Sequence, residues 1–326
     1  MTTNVSVIIP TYNRLWCLAK GVESCRNTQC STEIIVVDDG STDGTWEWLQ
    51  TQPDIISLRQ ENWGKGWAVN RAFAIAQGEY VRFLDSDDWL CPGAIDRQFE
   101  LAIAQEADVV VGGYEMYSED EKLLHKVDWT ECDDFVAQQL GECDSSHYSA
   151  YLFRKEFLKD IPHRPEFGAL DDRQFVIEVA MANPKVAIHS QPILCHRHHS
   201  QSRLQFPQGM RATTTNLHHL TIYKKCLSKL AERNELTPRR CKAVCHMLWH
   251  LAHWIAYTHL DEACEVAEWI YRLDADFQPP QPGLLGKLYT HLGFRNTEKI
   301  LQFRRNTLAL FRRNSVPKLH IFTALN

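Results

Sequence analysis

Three carboxylates fall within four residues at Asp85-Ser86-Asp87-Asp88. Close like charges repel, and this run directly follows the apolar segment Tyr80–Leu84. A hard divalent cation resolves the repulsion, because Mg²⁺ or Mn²⁺ takes oxygen ligands and can share them with a diphosphate. A second pair, Asp38-Asp39, closes another apolar run and is followed by Gly40-Ser41. Alone it reads as a plain turn with an Asx or N-cap role. Beside the first cluster it reads as a ligand site, since a carboxylate can accept the imide N–H of uracil or the N–H groups of guanine. A third pair, Asp171-Asp172, opens a helical stretch, where the helix dipole also favours acids. His196-Arg197-His198-His199-Ser200-Gln201-Ser202 is a polar run that can supply imidazole. Cys241, Cys245, His246, His250 and His253 suggest zinc, but the cysteines and histidines fall largely on different helix faces, so a structural helix is expected.

The elements that must position these groups alternate. Val5–Ile9, Glu33–Val37, Ile55–Leu58, Tyr80–Leu84 and Asp108–Val111 read as short buried strands. Arg14–Cys25, Thr42–Leu49, Gly66–Ala76 and Pro92–Gln105 read as helices, with Ser41 or Thr42 as an N-cap and Gly78 as a C-cap signal. Such alternation implies a mostly parallel α/β sheet with helices on both faces. Ligands bind such sheets at the carboxyl ends of the strands. Thr11-Tyr12-Asn13, Asp38-Asp39 and Asp85–Asp88 all sit at strand ends, which predicts one composite site. From about Phe206 the pattern turns helical, with Thr237 capping a long helix begun by Pro238 and Gly293 ending a later one. The expected division is an α/β domain over 1–204, its two halves meeting at about 90, and a helical region over 205–326.

The 326 residues are 44% hydrophobic and 23% charged, which excludes a disordered, collagen-like or coiled-coil chain. The net charge of −6 hides an asymmetry: 18 basic and 32 acidic residues up to Leu204, then 17 basic and 9 acidic. No segment approaches the ~18 apolar residues of a membrane span. No basic n-region precedes the first strand, so a cytosolic protein is expected. The 11 cysteines contain no Cys-x-x-Cys pair and are expected as free thiols.

Val5–Arg14, Glu33–Thr45 and Gly78–Leu90 together, in this order and spacing, resemble family 2 glycosyltransferases of the GT-A fold, the last segment around that family's D-x-D motif. The resemblance covers about Val5 to Arg203 and implies an inverting enzyme of the bacterial polysaccharide type, dependent on Mn²⁺ or Mg²⁺. A sugar would pass from a nucleoside-diphosphate donor, UDP-sugar favoured, to a hydroxyl of a saccharide or lipid-linked acceptor. Carried over by position, Pro10, Thr11 and Tyr12 would line the base and ribose pocket, and Asp39 would read the base, with Asp38 beside it. Asn62 and Gly64 would lie near the nucleotide, Asp85 near ribose and metal. Asp87 would be the direct metal ligand and Asp88 a lesser one. His199 would contact metal or diphosphate, supported by Arg197 or Ser202. Asp172, preceded by Asp171, would be the general base. The family's Ala-Arg-Asn is replaced by Ala68-Val69-Asn70, which leaves Arg71 or Lys65 as the phosphate contact.

A non-catalytic nucleotide-sugar-binding scaffold of the same fold is the alternative. A dehydrogenase is not expected, since no G-x-G-x-x-G follows the first strand. The basic tail carries Arg304-Arg305 and Arg312-Arg313 among Ile300, Phe303, Leu308, Leu310 and Phe311. It reads either as an interfacial helix on the inner face of a membrane or as a surface that packs on the protein or a second subunit. Nucleic acid is not expected, since no binding module appears.

Overall fold

The structure is a computed structural model and describes residues 2–199 and 210–314. Nine strands form one sheet in the order β3-β2-β1-β4-β8-β6-β9-β5, with β7 paired to β6. The nucleotide-side strands are β1 (Val5–Thr11), β2 (Thr32–Asp38), β3 (Ile55–Arg59) and β4 (Tyr80–Phe83), all parallel. The remainder is mixed: β5 (Trp89–Leu90), β6 (Val109–Tyr117), β7 (Leu123–Val127), β8 (Tyr151–Arg154) and β9 (Val186–Arg197). Of the pairs made by these five, only β6–β9 is parallel. The α/β fold expected from the alternating pattern is therefore present, and its second half turns antiparallel.

Period-two alternation splits the core between two faces. Val5, Val7 and Ile9 pack in one cluster with Leu18 and Val22 of α1 (Leu15–Glu23) and Ile95 of α4 (Ala94–Gln105). Ile8 and Val37 pack on the other with Ala68 and Ala72 of α3 (Lys65–Ile75) and Phe175 of α6 (Asp171–Met181). Burial on both faces is why these strands read as unbroken apolar runs. Pro10 is tolerated in a central strand because β4 pairs with β1 only as far as Ile8, so its missing N–H breaks no ladder bond there.

Two expected caps are replaced. The helix α2 (Thr45–Leu49) has Gly44 at its N-cap, and Asp43 accepts from the Thr45 N–H at 3.1 Å, while Ser41 Oγ accepts instead from Asn13 N–H at 2.9 Å. Gly78 caps nothing: α3 ends at Ile75, and Gly78 is pressed on β1, where a Cβ would stand 2.5 Å from Ser6 N and 2.7 Å from Tyr80 O. Backbone atoms cannot yield, so Gly78→Ala should cost about 1–3 kcal/mol of stability. Urea unfolding measures it, and an unchanged midpoint would contradict the packing.

The remaining helices are α5 (Phe135–Leu140), α7 (Met210–Glu232), α8 (Pro238–Ile255), α9 (Leu260–Leu273) and α10 (Gly283–Asn314). The chain falls into two compact units, one ending at Ala243 and one beginning at Val244. Thr237 Oγ1 accepts from Arg240 N–H at 3.3 Å, the expected cap of α8. In the second unit Trp249 is fully buried against the rings of Tyr289, Phe294 and Phe277, with centroids 5.0, 5.3 and 5.4 Å away. Gly293 (φ 75°, ψ 171°) breaks α10 in two, at the residue where the sequence stops the helix. His253 bonds Glu298 at 2.7 Å and Cys245 Sγ donates to the Ile270 carbonyl. Among the described residues the helical Cys/His cluster assembles no metal-ligand group. Nor is any described helix long and apolar enough to cross a membrane.

Candidate active site

Because β1, β2 and β4 run parallel and adjacent, their carboxyl ends lie along one edge. Asp39 N–H donates to the Thr11 carbonyl at 2.9 Å, which ties the first two motifs together. The two aspartates then diverge. Asp38 is fully buried; its carboxylate accepts from Ser41 N–H at 3.0 Å and lies 3.3 Å from Arg59 Nε, so it shapes the turn. Asp39 faces the loop after β3: Oδ1 accepts from Gln60 Nε2 at 2.8 Å and Trp63 N–H at 2.9 Å, and Oδ2 from Gly64 N–H at 2.9 Å. Gly64, at φ 100°, supplies the left-handed turn that starts α3, and Asn62 is exposed in that bend. Pro10 and Thr11 are buried, while Tyr12 is 44% exposed and presents its ring to solvent.

Lys65, the first residue of α3, reaches between two carboxylates. Its Nζ lies 2.5 Å from Asp85 Oδ1 and 2.8 Å from Asp172 Oδ2, and 4.8 Å from the centre of the Tyr148 ring. Burial alone would lower the ammonium's pKa, but Asp172 and Asp85 outweigh it and hold it above the usual lysine range. Burial raises the Asp172 carboxyl; Lys65 opposes that rise and Asp85 adds to it. Asp172 Oδ1 is buried without a hydrogen-bond partner. Asp85 is held from behind, its N–H donating to Ser149 Oγ at 3.1 Å.

Asp87 turns the other way. Its Oδ2 is 3.0 Å from His199 Nε2 and 3.8 Å from Arg14 Nε. Burial would raise its pKa, but the His199 hydrogen bond and the Arg14 charge hold it well below the usual carboxylate range. Trp16 packs edge-on to His199 at 5.2 Å. Arg197 Nε donates to the Asp87 carbonyl at 3.1 Å, and its guanidinium lies 4.7 Å from the Trp89 ring, so it supports the loop. Asp88 is buried; it accepts from Arg197 N–H at 2.9 Å and meets His196 Nδ1 at 3.0 Å. Asp171 is likewise buried, on His163 Nδ1 and Arg164 N–H, both at 2.5 Å, and His163 Nε2 meets Tyr148 OH at 2.8 Å.

The structure thus brings Asp39, Gly64, Lys65, Asp85 and Asp172 into one chain of contacts, and Asp87, Arg197 and His199 into another that shares the Asp85–Asp88 loop. Arg71 joins neither: its guanidinium donates to the Arg59 carbonyl at 2.6 Å. Ser202 lies outside the described residues. Tyr148, Ser149 and His163 were missed by sequence reasoning. They sit in an irregular stretch with no periodicity and reach the site only through tertiary folding. Arg14 stood beside the Thr-Tyr-Asn motif and could have been found there. Asp87 and His199, 3.0 Å apart, offer a carboxylate and an imidazole, a pair whose chemistry suits Mn²⁺ or Mg²⁺, while Asp85 is turned to Lys65; among the described residues the three do not come together as one ligand group. The Lys65 ammonium between Asp85 and Asp172 shows that this cleft already accommodates positive charge.

Residues 6–165 match the sequence pattern of glycosyl transferase family 2. EpsH of Bacillus subtilis, which bears a glycosyltransferase name, is 27% identical over 261 residues, covering 73% of this chain and 72% of EpsH. Two Streptococcus pneumoniae glycosyltransferases are 33% and 35% identical over 126 and 127 residues, and the match spans only 18% and 42% of their lengths. Among solved structures, S. aureus TarS 1-349 in complex with UDP-GlcNAc aligns with a TM-score of 0.52 at 17% identity, covering 83% of this chain and 90% of that one. The mannosyltransferase PcManGT of Pyrobaculum calidifontis, in complex with GDP-Man and Mn²⁺, gives 0.50 at 17% identity, covering 96% and 87%. Those likenesses speak for the fold, the GT-A arrangement with its helical C-terminal region. With the strand-end motifs standing on one edge of that sheet, it is across them, over residues 6–165, that the chain carries the pattern of glycosyl transferase family 2.

Proposed function

We propose that the protein transfers a sugar from a nucleoside-diphosphate donor to an acceptor hydroxyl, with inversion at the anomeric carbon. The observation that carries this is Asp172: one carboxylate oxygen is held by Lys65 and the other is buried, unpartnered and available for a proton. Burial-raised basicity suits a general base, which takes the acceptor hydroxyl proton as the new bond forms. Lys65 offers its charge to the donor's phosphates. Asp39, Tyr12, Pro10 and Thr11 line the base and ribose side, with Asn62 and Gly64 closing it. Mn²⁺ or Mg²⁺ held by Asp87 and His199, close to Asp85, would supply positive charge against the departing diphosphate. The UDP-GlcNAc complex of TarS supports a UDP-sugar donor, and the GDP-Man and Mn²⁺ complex of PcManGT supports the metal.

The acceptor is a saccharide or lipid-linked saccharide. Ile300 and Phe303, 47% and 75% exposed beside Arg304, support docking of the C-terminal helix at an anionic membrane surface. Arg295 and Arg305 contribute less, since they face Asp261 and Glu298. The side chains of Leu308, Leu310, Phe311, Arg312 and Arg313 lie outside the description.

A screen of UDP-, GDP- and dTDP-sugars with Mn²⁺ or Mg²⁺, read as nucleoside-diphosphate release with and without saccharide acceptors, tests the proposal. Binding without turnover across the panel would favour a scaffold. The pH profile offers a sharper check. Lys65 lowers the Asp172 pKa, so in Lys65→Met burial and Asp85 act unopposed and Asp172 takes up a proton at higher pH. The acidic limb of kcat/KM should move to higher pH, whatever its height. An unmoved limb would remove Asp172 from the role of base.

A further inference from the structure

Away from this cleft, three ligand-bearing residues converge from adjacent strands. Cys91 directly follows β5, its N–H bonded to the Ile193 carbonyl at 2.9 Å. Cys195 lies in β9 opposite Trp89 of β5, and Glu115 of β6 stands in register with Cys195. The two sulfurs are 3.5 Å apart, and all three ligand atoms lie within 4.8 Å of one another. We propose that Cys91, Cys195 and Glu115 bind a thiophilic divalent cation, zinc foremost, at the junction of β5, β9 and β6.

Distance favours a cation over a disulfide. Two thiolates ~2.3 Å from a tetrahedral ion stand about 3.8 Å apart, close to the separation present. A disulfide needs about 2.05 Å, so the sulfurs would have to close by well over an ångström. A cationic side chain stands close by. Arg82 is fully buried; Nη1 donates to the Ser149 carbonyl at 2.7 Å, while Nε and Nη2 have no partner. Its charge acts on Cys25 and Cys91, with no carboxylate among the groups that shift it. A buried cation in that position favours thiolate. Glu115 is oriented from outside by Tyr117 OH at 2.8 Å and Lys126 Nζ at 2.7 Å, as supporting residues orient metal-bound carboxylates. A water can complete the fourth position.

The consequence lies in the strand order. β5 has only two residues and two paired positions, a weak hold for the segment that ends the Asp85–Asp88 loop. An ion across Cys91, Cys195 and Glu115 would staple β5 to β9 and β6, and so fix that loop beside His199.

Co²⁺ titration of the chelator-treated full chain tests this directly. One equivalent should produce a thiolate-to-cobalt charge-transfer band in the near ultraviolet, displaced by Zn²⁺. Cys91→Ser and Cys195→Ser should abolish the band, and Glu115→Gln, which keeps the side-chain shape, should weaken Co²⁺ binding at least tenfold. Asp87→Asn should leave the band intact, which separates this site from the catalytic cleft. Absence of the band, its persistence in both cysteine variants, or a Cys91–Cys195 disulfide in the native protein by peptide mass spectrometry would overturn the proposal. If a cysteine variant fails to fold, Glu115→Gln decides, since unchanged Co²⁺ affinity there also overturns it.

Discussion

Asp172→Asn is expected to lower kcat roughly 10²–10⁴-fold, the usual contribution of a positioned general base. The amide keeps the shape and can still meet Lys65 but cannot take a proton. Asp172 lies at the start of α6, on the far side of Lys65 from Asp85. Nucleoside-diphosphate affinity, measured by calorimetry, should therefore stay within a few fold. Loss of transfer with retained binding is the required pair of results. Near-native turnover would sink the assignment of the base. An equal fall in binding would show that the residue serves the donor instead.

Asp87→Asn should have the second large effect and the opposite signature. The wild-type carboxylate is kept ionised by His199 and Arg14. The amide gives up that charge, and Mn²⁺ or Mg²⁺ affinity should fall with it. Lewis-acid stabilisation is worth several kcal/mol, so transfer should drop by roughly 10³-fold at saturating donor. Raising the metal concentration should restore part of it. Manganese binding, followed by electron paramagnetic resonance, should weaken in parallel, and unchanged affinity would remove Asp87 from the metal site. Asp88→Asn should act differently: Asp88 is buried on Arg197 and His196, so its loss should show first in stability.

Much of this arrangement was legible in the residues. The apolar β-branched runs and the polar clusters closing them gave β1 to β4 and β6 and the parallel run of the first four, but not β5, β7, β8 and β9, whose pairs are mostly antiparallel. Local sequence reports these because strand burial and helix periodicity are properties of a few consecutive residues. The same reading mistook Gly78 for a cap, because a glycine required by close packing looks identical to one required by a left-handed turn. It also missed Tyr148, Ser149 and His163, which lie 60 residues or more beyond the Asp85–Asp88 cluster and carry no periodic signal.

The acidic residues show where the boundary falls. By itself the sequence determined that Asp38-Asp39, Asp85–Asp88 and Asp171-Asp172 exist, and that the first two clusters end strands of one sheet. The family resemblance marks one member of each doublet, Asp39, Asp87 and Asp172, and the tertiary structure supplies the contacts that distinguish it from its neighbour. Asp38, Asp88 and Asp171 turn inward to hold Ser41, Arg197 and Arg164 backbone N–H groups. Asp39, Asp87 and Asp172 turn toward the loop after β3, His199 and Lys65. Neighbouring side chains leave the backbone in different directions, and the partners that fix each one come from distant strands and loops. Charge composition could count these carboxylates, but only the assembled sheet could supply their partners.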